Sequence, residues 1–95
     1  MTQAYRKRIA EGSIQIILAR IEAEPGNSRE GELIKLSQAL DYLWGHRYDR
    51  ALELVAESQK SPERSEAFGS RSPVPTVAQL YEKLARSRQR SAPLG

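Results

Sequence analysis

The chain has 95 residues, 15 Lys and Arg against 12 Asp and Glu for a net charge of +3, one histidine and no cysteine. That length suits one domain with a modest core, and a lone His46 without cysteines excludes a zinc finger and a cysteine nucleophile. The longest uninterrupted apolar run, Ile16 to Ala19, is far short of the ~18 residues that a membrane-spanning helix needs, so no membrane partner is expected.

The charge is unevenly placed, with +3 over residues 1–20, −4 over residues 21–58 and +4 over residues 59–95. The opening MTQAYRKRIAEG is basic and lacks the apolar core of a secretory signal, which sets the expectation of a cytoplasmic location, or a nuclear one in a eukaryote.

From Ser13 onward, SIQIILARIEAE places Ile14, Ile17, Leu18 and Ile21 at i, i+3, i+4, i+7, the spacing of one side of an α-helix. The alternation of Ile14, Ile16 and Leu18 keeps a short strand open as the competing reading, since β-branched residues suit strands. Extended back through Gly12, the helix gains a second apolar stripe on its opposite side, made of Tyr5, Ile9 and Ile16. A helix apolar on two sides must be covered twice, either by its own domain or by another chain.

Pro25, Gly26, Asn27 and Ser28 break the pattern, and Asn27 with Glu30 three residues on has the form of a reciprocal helix cap. A second helix is predicted from about Arg29 to Trp44, with Leu33, Leu36, Leu40, Leu43 and Trp44 on one face. Gly45 is expected to supply the left-handed residue that ends it. A third helix follows in RYDRALELVAESQK, its apolar side formed by Tyr48, Ala51, Leu52 and Val55, and the two should form an antiparallel hairpin.

Residues 59–75 turn to Ser, Pro, Gly, Arg and Glu, and Pro62, Pro73 and Pro75 block helix or central strand there. Phe68 is the large apolar residue of this linker, an anchor to the body or a contact for a partner. Thr76 with Gln79 forms a capping box, so a fourth helix should open at Val77 and bury Val77, Leu80, Tyr81 and Leu84. One turn further the same face carries Arg88, so docking is expected to stop near its middle and RSRQRSAPLG to form an exposed basic tail.

These elements predict an all-α bundle of three to four helices with a central antiparallel hairpin. Its parts are a helical core at 1–58, a linker at 59–75, and a short amphipathic helix with a basic tail at 76–95.

The stretch around Ala39, Leu43, Gly45, Tyr48, Ala51 and Leu52 resembles a tetratricopeptide unit, with small residues where two helices approach and a Gly-x-x-Tyr turn between them. The resemblance covers residues 33–58 in a single copy, and a solenoid needs about three stacked repeats, so it implies a hairpin of that geometry and no peptide groove. The same stretch is similar to the region preceding the zinc motif of SWIM-type recombination factors, whose cysteine and histidine ligands this chain lacks.

No residue pattern points to catalysis or to a cofactor. His46 beside Tyr48 and Asp49 reads as a surface-turn histidine, and the pairs Glu22/Glu24 and Glu30/Glu32 point to different sides of a helix. Two surfaces remain.

Spare apolar area at Tyr5, Ile9, Ile16, Trp44 and Phe68 suits another protein, either a second copy of the chain or a larger complex, and makes an adaptor, assembly factor or regulator the first expectation. The basic residues Arg6, Lys7, Arg8, Lys83, Arg86, Arg88 and Arg90 suit nucleic-acid phosphates and form the alternative, strongest if the two clusters lie together.

Overall fold

The computed structural model of the chain describes residues 3–24, 29–60 and 74–91. Among them are four helices and no strand: α1 (Gln3–Ala23), α2 (Glu30–Trp44), α3 (Tyr48–Lys60) and α4 (Val77–Ser91). Most of the 59–75 segment, with Phe68, lies outside the described residues, as do Asn27 and the residues after Ser91.

α1 runs unbroken through Gly12, which removes the strand alternative for Ile14 to Leu18. Its Ile14, Ile17, Leu18 and Ile21 are buried as one helical stripe, whereas Ile16, which a strand would pair with Ile14 and Leu18, faces solvent. Burial against neighbouring helices outweighs the weak strand preference of isoleucine.

α2 opens one residue after Arg29, whose own φ of −134° and ψ of 34° make it the N-cap without a side-chain cap bond. Glu30 is the first residue of the helix, and Asn27, the other half of the expected Asn27/Glu30 box, lies outside the described residues. Arg29 bridges the junction, with Nη1 donating to Glu24 Oε1 at 2.9 Å and Nε lying 2.8 Å from Glu32 Oε1.

The α2–α3 connection is tight. Arg47 N–H reaches back to Tyr42 O at 2.8 Å and His46 N–H to Leu43 O at 3.1 Å, the paired bonds of a Schellman closure. The left-handed residue of that closure is His46, at φ 65°, while Gly45 keeps an ordinary φ of −86°. Gly45 therefore does not supply the left-handed turn as expected: the helix ends at Trp44 as predicted, but Gly45 is its cap in an ordinary conformation and the left-handed position falls one residue later. Histidine is held there by a 2.8 Å bond between its Nδ1 and Tyr48 Oη. The guanidinium groups of Arg47 and Arg50 lie 5.7 and 5.9 Å from the centre of the Tyr42 ring, tying the start of α3 to the end of α2. At the far end Lys35 on α2 pairs with Glu57 on α3 at 2.9 Å, so the hairpin is antiparallel along its length.

α4 begins where its sequence places it. Thr76 N–H donates to Gln79 Oε1 at 2.9 Å and Gln79 N–H to Thr76 Oγ1 at 3.1 Å, a complete capping box. The helix docks further than expected, because the turn after Leu84 buries Ser87 against a polar partner on α1 in place of an apolar one.

In the bundle α1 packs on α3 and α4, and α2 packs on the same two helices, so α1 and α2 sit on one diagonal and α3 and α4 on the other. All four helices contribute to one core, with Ile14 and Leu18 of α1, Leu36 and Leu43 of α2, Leu54 of α3 and Leu80 of α4 fully enclosed. Ala10, Ala39 and Ala51 are sealed at the contacts, where a larger side chain would force the backbones apart. No described helix is long and apolar enough to cross a membrane.

Candidate interaction surface

α1 is the element with two characters. On a wheel of 100° per residue its buried set, Lys7, Ala10, Glu11, Ile14, Ile17, Leu18 and Ile21, occupies one side. Tyr5, Ile9 and Ile16 fall on the opposite side, and their exposures are 53%, 37% and 68%. Three of the four large hydrophobics exposed among the described residues thus stand on this one helix face. Trp44, half exposed at the end of α2, is the fourth and stands apart from them in the chain. Phe68 lies outside the described residues.

The exposed stripe is wider than the three residues read from the sequence. Gly12 falls between Ile9 and Ile16, and exposed Ala19 and Ala23 continue the line. A Cβ built on Gly12 would meet nothing within 4 Å, so the face has a notch at its middle. The signal was available in the spacing 5, 9, 12, 16, 19, 23, which alternates fours and threes, but small residues do not register as apolar anchors in a search for large ones.

The structure brings the two basic clusters to one contact, since Lys7 of α1 donates to Ser87 O of α4 at 2.8 Å. The charges do not add up to a seven-residue patch. Lys7, read with the exposed cluster, is buried and paired with Glu11, while Ser87 Oγ donates to the same carboxylate at 2.7 Å. Lys83 donates to Ser37 Oγ at 3.0 Å and to Asp41 Oδ1 at 3.1 Å. Arg86 pairs with Glu82 at 2.9 Å, and Arg88 donates to Gln15 of α1. Arg6 is half-buried and Arg8 exposed at the same end of α1, and the Arg90 side chain lies outside the described residues.

A second buried carboxylate is Glu32, which the sequence pairs with Glu30 on solvated sides of a helix and which the structure encloses instead. It accepts from Gln59 Nε2, and Ser58 Oγ beside it donates to Val55 O at 2.6 Å. Its Oε1 has Arg29 Nε at 2.8 Å without an aligned hydrogen bond. The Gln59 bond joins α3 to α2, while the Ser58 bond stays within α3. His46 sits on the exposed hairpin turn, engaged by Tyr48. No three His, Asp or Glu side chains gather as a metal-binding group among the described residues.

Compared with protein-family models, curated proteins and solved structures, the chain shows no significant match.

Proposed function

We propose that the chain is a non-enzymatic interaction module whose working surface is the outward stripe of α1, and that its partner is a protein. The observation that carries this reading is the 68% exposure of Ile16 in the middle of a helix whose opposite side is enclosed. An isoleucine left largely in water forgoes most of the roughly 1.5–3 kcal/mol its burial would contribute, and here it lies in line with Tyr5 and Ile9. Aligned apolar residues on a folded surface mark association sites far better than scattered ones do. The buried carboxylates support the same reading, because Glu11 and Glu32 are enclosed and held by Lys7, Ser87 and Gln59 inside helix contacts. Phosphate binding is the weaker reading, because Lys7, Lys83 and Arg86 are engaged within the fold.

The test is retention from an extract of the native source on the immobilised full chain, with the double variant Ile9→Ser/Ile16→Ser beside it. Both substitutions are on exposed positions, so circular dichroism should report an unchanged fold. Proteins held by the parent and lost by the variant are the expected result. An identical set on both columns overturns the reading.

A further inference from the structure

We propose that the outward face of α1 pairs with the same face of a second copy of this chain, the two helices running antiparallel. This rests on the interaction reading above and names its partner.

Tyr5, Ile9, Gly12, Ile16, Ala19 and Ala23 occupy successive 4-3-4-3-4 positions, the a and d sites of a coiled-coil seam, over about 27 Å of helix. At 100° per residue they lie within about 80° of arc. Large residues hold the first, second and fourth seam positions and small ones the third, fifth and sixth, and that order decides the orientation. Antiparallel self-pairing with Gly12 opposite Ile16 also sets Ile9 opposite Ala19 and Tyr5 opposite Ala23. Every layer then matches a large side chain with a small one. Parallel pairing sets each residue opposite itself, so Gly12 would face Gly12 and leave a gap while Ile16 would crowd Ile16.

Gly12 gives this register a physical reason. Glycine within a helix costs about 0.5–1 kcal/mol relative to alanine, and among the described residues nothing approaches its Cβ position. The notch is unused until Ile16 of a second copy enters it.

The charges beside the seam favour the same orientation. Antiparallel pairing brings Arg8 of each helix against Glu22 of the other, twice by symmetry. Both side chains are exposed, and neither makes a hydrogen bond or ion pair among the described residues. On the other flank Arg6 approaches Arg20 of the second copy, but Arg20 Nη2 is drawn onto α3 by a 3.0 Å bond to Gln59 Oε1. A single helix pair buries less than the about 1,200–2,000 Å² of a standard stable interface, so the dimer should exchange with monomer.

Sedimentation of the full chain over a rising concentration series tests this. The parent should move from the mass of one chain toward that of two. Gly12→Leu fills the notch and should weaken association at least about tenfold, while circular dichroism at low concentration reports an intact helix; Gly12→Ala, smaller by three carbons, is the second variant should the first misfold. Glu22→Arg should weaken it about three- to tenfold, and Arg8→Glu/Glu22→Arg should restore it. A parent that stays one chain at every concentration overturns self-pairing, and the extract experiment then judges the broader reading separately. A dimer indifferent to Gly12→Leu overturns the α1 seam, and one that the charge swap fails to restore overturns the antiparallel order.

Discussion

Lys7 and Glu11 bring an ammonium and a carboxylate into a helix contact, where each would be costly alone. Ser87 completes the group by accepting from Lys7 at its carbonyl and donating to Glu11 from its hydroxyl. Lys7→Met removes the counter-charge and should destabilise the chain by about 3 kcal/mol, since Glu11 keeps only the Ser87 bond. Adding Glu11→Leu should recover most of that loss, which thermal melts of the two variants will read. This group was illegible in the sequence because charged residues are assigned to the surface by default, and Lys7 stands between two arginines.

Glu57 differs in kind, being a partly exposed carboxylate that bridges the hairpin. Its hydrogen bond from Lys35, and then the Lys35 charge, hold it below its ordinary pKa of 4.5. The stabilisation is thus present above 4.5 and is lost as the pH falls through the lowered value. Glu57→Gln should therefore melt below the parent near neutral pH and lose less on acidification. Melting temperatures at about pH 7 and about pH 3 check the sign.

At the scale of the element, signals that act over three or four residues were legible and those set by where a helix stops were not. The Thr76–Gln79 box lies on one turn and fixes the start of α4 without tertiary help. The hairpin turn instead depends on whether the chain turns left-handed directly after Trp44 or one residue later, and that difference moves the left-handed position from Gly45 to His46. The two assignments predict opposite signs for Gly45→Ala. With a left-handed Gly45 the substitution would strain the turn. At φ −86°, with the nearest atoms to an added Cβ at 3.7 Å, it should stabilise by about 0.4–1 kcal/mol through the unfolded chain. Urea unfolding decides between them. α4 shows the same limit, since Arg88 correctly leaves the core while Ser87, one residue earlier, continues the docking through Glu11 of α1.

For the whole molecule, the described helices enclose one side of α1 and leave Tyr5, Ile9 and Ile16 on the other partly to largely exposed, and the sequence carried both stripes. It did not carry which of them the domain would cover. That depended on α3 and α4 both packing on the Ile14–Leu18 side, a consequence of long-range contacts such as Arg20 with Gln59 and Lys7 with Ser87. If the uncovered side is completed by a second copy, folding and association are linked and stability depends on concentration. The parent should then melt at a higher temperature as its concentration rises. Gly12→Leu replaces the poorest non-proline helix former by a strong one, a gain of about 0.8 kcal/mol, or about 3–6 °C for a domain of this size. At low concentration, where the parent is one chain, the variant should melt above it. As the concentration rises the parent alone should gain, and the gap should narrow or invert. A stabilising substitution that abolishes concentration dependence is hard to obtain unless Gly12 is kept open for another chain. Parallel melting curves at every concentration would assign the glycine no such role.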